Sequence, residues 1–268
     1  MTIAHAGDQL AARVHALLQR RSGAAVHRLI AVEELTLARE WHHVLCREAG
    51  ATSRVQLASG LTLEEDQPFL IFNRIRQVSL PHFAAADEYD RAYAWSEMHA
   101  LLLSWLHSLG SRVINPPSPL GLAGREYSRI EALAAAARAG LEVAHYGFST
   151  DPRCRPCTGA YQLRQATFSM ISSDCALGDE ILVTVAGRYR THPDLALDEM
   201  ALTRLQSEGS HPLMELRLAA DSSGVWKLCH LSAFPEHADR AAAGVVADYL
   251  GELANATADE LAKIGAAS

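Results

Sequence analysis

The sequence predicts an α/β fold that begins with a parallel sheet and continues into an antiparallel half of the α+β class. Between residues 27 and 146, short buried apolar runs alternate with stretches of helical spacing, a pattern typical of parallel sheets covered by helices. Beyond residue 147, alternating runs are joined by turn sequences, which indicates hairpins. We therefore predict an N-terminal helical extension at 1–26, an α/β domain at 27–146 and an α+β domain at 147–268.

Composition limits the class of protein and its compartment. The 268 residues are 49% hydrophobic and 21% charged, which is typical of a globular protein with a sizeable core. There is no apolar run of 18 residues and no export signal, so we predict no membrane span. Five cysteines, an odd number, favour a reducing compartment, and we expect a cytoplasmic protein. A formal charge of −7 argues against a nucleic-acid partner.

Periodicity predicts the elements of the first half. Apolar positions at Leu10, Val14, Leu17 and Leu18 predict a helix over 8–20. The expected strands are 27–32, 53–57, 69–72, 112–114 and 141–146, and the expected helices are 33–48, 87–109 and 125–139. Gly50 and Gly140 follow two of these helices, as glycines that end helices do. His42 and His43 fall inside the helix expected at 33–48, so their rings should point in different directions.

Polar residues follow two of the expected strands, and they form the core of the candidate site. Asn73 and Arg74 end one strand, and Asn115 ends another just before Pro116 and Pro117. Because ligands of parallel sheets lie beyond the carboxyl ends of strands, these side chains are candidates for ligand binding. The alternative is that the proline loop only turns the chain into the next helix. The other candidates are Arg125 and Arg188.

The second half shows clear antiparallel signals. The run EILVTVAGRYR predicts a strand with a hairpin turn at Ala186-Gly187-Arg188. A second hairpin is expected around Asp221 to Gly224, because both flanking arms alternate apolar and polar residues. An amphipathic helix over 238–253 should close the fold.

The order of these segments resembles that of ATP-grasp proteins, especially the peptide-modifying and peptide-forming ligases. The similar segments are FLIFNRI, RVINPPSPLGLAGREYSRIEALAAAARAGLEV, ALGDEILVTVAGRYR and DSSGVWKLCHLSAFPEHADRAAAGVVADYLGEL, within residues 27–254. The resemblance implies a protein that joins a carboxylate to an amine through an acyl-phosphate, using ATP and Mg²⁺, and it suggests a homodimer. It also implies two lysines and a glycine-rich lid around the triphosphate, with an acidic residue and an asparagine as metal ligands.

The sequence departs from this pattern at each of those points. About 35 residues separate Tyr146 from Ile181, where the resemblance implies a lobe of about twice that size, and no lysine precedes Lys227. No glycine-rich lid is visible, and Cys229 and Ser232 stand about where the acid and the asparagine should be. A thiol and a hydroxyl are poor ligands for Mg²⁺.

These departures predict a truncated ATP-grasp-like architecture without a bound cofactor. The protein would be a pseudoenzyme, an accessory or scaffold that binds a peptide or a partner enzyme, and the resemblance suggests peptide natural-product biosynthesis as its setting. The alternative is an active ATP-dependent carboxylate–amine ligase in which arginines replace the lysines. The arginines considered for that role are Arg153, Arg155 and Arg164.

A third hypothesis concerns the pair Cys154-x-x-Cys157. Its spacing matches half of a zinc site or a redox pair, and Cys175 is a further candidate ligand. A complete site needs ligands from elsewhere in the chain. Unpaired thiols, a structural metal site and redox chemistry all stay open at this point.

Overall fold

The computed structural model describes residues 1–21, 27–48, 50–64, 67, 69–119, 121–144, 146–149, 169–172 and 179–266. In chain order its strands are β1 (Thr2–Ala4), β2 (Leu29–Ala31), β3 (Glu40–Cys46), β4 (Gly50–Gln56), β5 (Thr62–Glu64), β6 (Ile71–Arg74), β7 (Val113–Ile114), β8 (Tyr146–Ser149), β9 (Ser169–Ser172), β10 (Glu180–Ala186), β11 (Tyr189–Arg190), β12 (Leu213–Ala220) and β13 (Trp226–Ser232). Its α-helices are α1 (Gln9–Arg21), α2 (Val32–Thr36), α3 (Glu88–Ser108), α4 (Arg129–Ala139), α5 (Glu199–Gly209) and α6 (Arg240–Ala266). In these described ranges, no helix is both long enough and apolar enough to cross a bilayer.

The first sheet is parallel, as predicted, with the strand order β2-β1-β6-β7. Its inner strand β1 lies within residues 1–26, where only a helical extension was expected, and this expectation was incomplete. Ile3 is fully buried and pairs with both Ile30 and Asn73. A strand of three residues is too short to produce a periodic signal, so only its neighbours reveal it.

The helix expected at 33–48 is wrong. Only Val32–Thr36 is helical, and residues from Glu40 onward form β3, which pairs with β4 and β5 in a separate antiparallel sheet. His42 and His43 therefore point to opposite sides of a strand, not around a helix. Tertiary packing explains the difference: Trp41 packs edge-on against Trp105 of α3, with ring centroids 5.4 Å apart.

The long helix and the helix after the proline loop are confirmed with shifted ends. Asp87 caps α3 by accepting a hydrogen bond from the N–H of Asp90. α4 begins at Arg129, not at 125, because Ser128 and Glu131 form a reciprocal capping box. Residues 141–146 were expected as a strand, but within the described residues 141–144 there is an isolated parallel bridge from Val143 to Leu228 and no strand.

The second large sheet is antiparallel, with the order β11-β10-β12-β13, and both predicted hairpins are present. Helix α5, capped by Asp198, was not predicted. One core cluster joins both sheets to the helices α1 and α6. Its buried side chains include Leu10, Val14, Phe72, Ile114, Leu213 and Val246. The two halves of the chain therefore share a hydrophobic core.

Candidate functional site

The carboxyl edge of the parallel sheet is held together by two buried asparagines. Asn73 donates its side-chain amide to the carbonyl of Leu122 at 2.6 Å and accepts from the N–H of Ile75 at 3.2 Å. Asn115 adopts a left-handed φ of 55° and donates to the carbonyls of Leu213 and Ala233. Both amides are thus directed at backbone groups, and Asn115 ties the end of β7 to the antiparallel sheet.

Arg74 forms a buried ion pair at the same edge. Its Nε donates to Oδ2 of Asp8 at 2.5 Å, and the exposed fractions of the two side chains are 3% and 9%. Burial lowers the pKa of Arg74, while the charge of Asp8 opposes that shift. The guanidinium also lies 4.0 Å from the ring centroid of Phe234, which follows β13. Arg74 therefore joins the N-terminal loop to the C-terminal half.

A cleft of about 200 Å³ opens between the proline loop and the end of β13. Its lining residues are Arg76, Gly121, Leu122, Ala123, Gly124, Arg125, Glu126, Tyr127, His230, Leu231, Ser232, Ala233 and Phe234. The two arginines are each about half exposed and each pairs with a carboxylate, Arg76 with Glu236 and Arg125 with Glu131. Such exposed pairs are weak, at about 0–1 kcal/mol, so a ligand can displace them.

A buried histidine shapes the loop wall of the cleft. Nε2 of His211 accepts the backbone N–H of Arg125 at 3.2 Å, and its ring packs edge-on against Tyr127. Burial, aided by the charge of Arg125, lowers the pKa of His211 to about 4. His211 is thus neutral at ordinary pH, which leaves a lone pair to hold the loop. Gly124, directly before Arg125 in this loop, has a φ of 98°.

The sheet face beside the cleft does not fit a magnesium ion. Glu215 pairs with Ser232 across β12 and β13, and Arg217 pairs with His230. One oxygen of Glu215 already accepts the backbone N–H groups of Glu236 and His237. Burial and the positive charges of Arg129 and Arg217 lower the pKa of His230, while Glu180, which pairs with Arg217 at 3.4 Å, opposes that shift. Within the described ranges, no three His, Cys, Asp or Glu side chains are grouped to hold a metal.

The candidate site residues predicted from the sequence do not all lie in one place. Asn73, Arg74 and Asn115 lie at one edge, and Arg125 lines the adjacent cleft. Arg188 is elsewhere, paired with Glu252 of α6. The proposed metal or redox ligands Cys154, Cys157 and Cys175, and the arginines Arg153, Arg155 and Arg164, lie outside the described residues.

Sequence reasoning missed Arg76, His230 and Phe234 in the cleft. Of the two residues that stand about where the acid and the asparagine should be, Ser232 lines the cleft, whereas Cys229 is 1% exposed and packs against Ala144 and Ala219. The register of β13 shifts by one residue at a bulge near this point, so counting alternate positions along the strand fails there. The polar pattern Arg-x-Arg at 74–76 was the available signal for Arg76.

Comparison with known proteins gives matches in structure alone. No family model matches the sequence, and no curated protein does. A RiPP-associated ATP-grasp ligase from Chryseobacterium gregarium, in complex with ADP and a leader and core peptide, is 12% identical with a TM-score of 0.65. The match covers 94% of this chain and 96% of that one.

Two further solved structures agree. The macrocyclase MdnB from Microcystis aeruginosa MRC is 13% identical with a TM-score of 0.67, over 93% of this chain and 97% of that one. The ATP-grasp ligase PsnB, complexed with a phosphomimetic variant of its minimal precursor, Mg and ADP, is 16% identical with a TM-score of 0.60, over 96% and 95%. Together with the parallel sheet, the antiparallel sheet and their order along the chain, these matches show that the protein has the ATP-grasp fold.

Proposed function

We propose that this protein is a non-catalytic ATP-grasp-like accessory or scaffold that binds a peptide or a partner enzyme in peptide natural-product biosynthesis. The observation that carries the proposal is the pairing of Arg217 with His230 beside the cleft. The guanidinium of Arg217, which pairs with Glu180 at 3.4 Å, stands beside His230, whereas a divalent metal would need free carboxylate oxygens there. The peptide partner is supported by the fold neighbours, since several were solved with leader or precursor peptides. We further propose that the protein acts in the cytoplasm.

The cleft has the chemistry to hold a peptide. Arg76 and Arg125 offer guanidinium donors for peptide carbonyls or carboxylates, and each stacks on an aromatic ring, that of Phe234 or Tyr127. This stacking restricts the arginine side chains, so they lose less conformational entropy when a ligand binds.

The competing hypothesis is an active ATP-dependent ligase. It is favoured by the fold neighbours that hold ADP or AMPPNP, two of which also hold Mg. Isothermal titration with Mg-ATP separates the two hypotheses. We expect no binding up to roughly millimolar nucleotide. Micromolar binding, or ADP release in the presence of a peptide, would refute the proposal.

Peptide binding is tested separately, with a synthetic peptide copied from a short reading frame beside the gene. Arg76→Ala and Arg125→Ala should each weaken its binding by about three- to tenfold, because each removes a charged donor. Arg188→Ala is the matched control, since Arg188 is also an exposed, ion-paired arginine but lies outside the cleft. Equal weakening by all three variants would argue against the cleft as the peptide site.

We also propose a homodimer. Residues 88–93 of α3 are all exposed, and Tyr89 and Tyr93 among them are 80% and 61% exposed. Exposed aromatic side chains in such a patch are typical of protein interfaces. Sedimentation velocity should therefore give a dimer for the wild type and a monomer for Tyr93→Glu.

The zinc hypothesis is checked by elemental analysis of the purified protein.

A further inference from the structure

Two histidine rings meet where helix α1 lies against the first sheet. Nδ1 of His15, in the middle of α1, is 2.7 Å from Nδ1 of His27, which comes shortly before β2. The ring centroids are 5.0 Å apart, and the rings are tilted by 41°. Nε2 of His27 is 3.1 Å from Oγ1 of Thr2, a fully buried residue of β1. The pair therefore links α1 to β1 and to the segment that enters β2.

The separation of the two Nδ1 atoms limits how many protons the pair can hold. A hydrogen bond of 2.7 Å needs a proton on one nitrogen and a lone pair on the other. The neutral pair meets this condition. A pair with one added proton also meets it, because the charged ring of His15 donates to Nδ1 of His27 while Nε2–H of His27 donates to Thr2. A second added proton would set two N–H groups and two positive charges against each other. The folded geometry therefore accommodates one added proton but not two.

No carboxylate near the pair offsets a second added proton. Burial lowers the pKa of both rings, and that of His27 falls to about 4 because the ammonium of Met1 and the partner ring add to the effect. No carboxylate of a described residue contributes to either shift. Helix α1 carries arginines but no acid, and β1 and β2 carry no charged side chain. On α6, which packs against α1, Asp248 is already paired with Arg21, and Arg28 beside His27 is exposed.

The histidine pair bears on the hydrophobic core that both halves of the chain share. Leu10, Val14 and Leu18 of α1 are buried in that core together with Val246 of α6. Val14 directly precedes His15, so a shift of α1 that separates the two rings also moves a core side chain. Closely packed interfaces switch between discrete arrangements and do not stretch continuously. Separation of the rings should therefore release the helix and not merely bend it.

We infer that His15 and His27 form a proton-sensitive clamp on α1. The clamp holds α1 on the first sheet while the pair carries at most one added proton, and it releases the helix when a second proton binds. Neither histidine lines the cleft, so the inference does not depend on the proposed function.

Native-state hydrogen exchange on the full-length protein tests the clamp. Once α1 is released, His27 can titrate at its ordinary pKa, so lower pH favours the released state. Between about pH 7 and about pH 4, the protection of α1 amides should fall at least about tenfold more than that of α4 amides, after correction for intrinsic exchange rates. Helix α4 contains no histidine and serves as the internal reference. An equal loss in both helices would assign the acid effect to global unfolding and overturn the inference.

A variant that cannot take up the proton provides the second arm of the test. His15→Asn keeps a donor and an acceptor near the position of Nδ1 but does not titrate. The acid-induced loss of α1 protection should shrink at least about threefold, and part of it should survive because His27 is still buried. His107→Asn, at an exposed position on α3, is the matched control and should behave like the wild type. A loss in His15→Asn as large as in the wild type would contradict the clamp.

NMR of the imidazole nitrogens in the unchanged protein keeps the test decisive if His15→Asn does not fold. The pair should take up one proton first, and uptake of the second should coincide with the loss of α1 protection. Two independent titrations near the ordinary pKa of 6.5, with α1 still protected, would overturn the inference.

Discussion

Asn115 and Leu213 exchange two hydrogen bonds, from the side-chain amide to the carbonyl at 2.8 Å and from the backbone N–H to Oδ1 at 3.3 Å. The residues are 98 positions apart, and both are buried. The two bonds run in opposite directions, as they do between paired residues of neighbouring strands. They join the end of β7 to the start of β12. It connects the two sheets at the edge where the cleft opens.

Replacing Asn115 should therefore destabilise the whole protein. Asn115→Ala leaves a buried N–H and two carbonyls without partners in a left-handed conformation, at a cost of about 2–4 kcal/mol. Urea unfolding measures the loss. Asn115→Gly relieves the backbone strain but not the missing bonds, so it should recover only part of the stability. Full recovery in the glycine variant would assign the effect to strain alone.

The ion pair of Arg74 and Asp8 should show strong coupling. Removing one partner leaves a buried charge alone, so Arg74→Met should cost about 3–5 kcal/mol. The double variant Arg74→Met with Asp8→Leu should lose less than Arg74→Met alone. A double-mutant cycle from denaturant unfolding gives the coupling, and additive effects would contradict a buried pair.

Stability should fall in mild acid because of His211. Its folded-state pKa of about 4 lies below the ordinary 6.5, so the unfolded chain takes up the proton first as the pH falls. The contribution of His211 to the free energy of unfolding is complete above pH 6.5 and is lost progressively down to about pH 4. The total loss is about 3 kcal/mol. Urea unfolding across this range measures the slope.

Two histidine variants control the acid effect. His211→Gln keeps an acceptor for Arg125 but cannot titrate, so the slope should become shallower. His107→Gln, at an exposed position on α3, should leave the slope unchanged. His27 also has its pKa lowered to about 4, chiefly by burial, so part of the slope should survive in His211→Gln. An unaltered slope in His211→Gln would contradict the assignment.

The hairpin turn at Gly187 should not accept a side chain. Gly187 has a φ of 54°, and a Cβ there would lie 2.6 Å from Cε2 of Tyr249 on α6. Gly187→Ala should cost about 1–3 kcal/mol in unfolding free energy, because the strained backbone and the ring contact act together. Adding Tyr249→Ala removes the clash, so the double variant should be more stable than the sum of the single losses predicts. Simple additivity would show that the backbone alone is responsible.

The sequence identified elements whose signals are local. The hairpins around Gly187 and Gly224 carry glycines with positive φ, and α3 and α4 have a capping residue and a periodic apolar face. The parallel character of the first sheet also followed from alternating apolar runs. The shortened ATP lobe and the division into three parts stay predictions, and residues 150–168 and 173–178 lie outside the described residues.

Long-range contacts produced the errors. Residues 40–46 became a strand because β4 and α3 offered them partners, although their spacing also suits a helix. His230 lines the cleft while Cys229 is buried, and the register of β13 shifts at a bulge beside them.

By itself, the sequence determined the fold class, the two hairpins and the absence of lysine before Lys227. Only the tertiary structure decided that Asn73 and Asn115 bind backbone carbonyls while Arg76 and Arg125 face the cleft. The reason is physical: hydrogen-bond propensity belongs to the residue type, whereas its partner depends on which distant segment folding brings within about 3 Å.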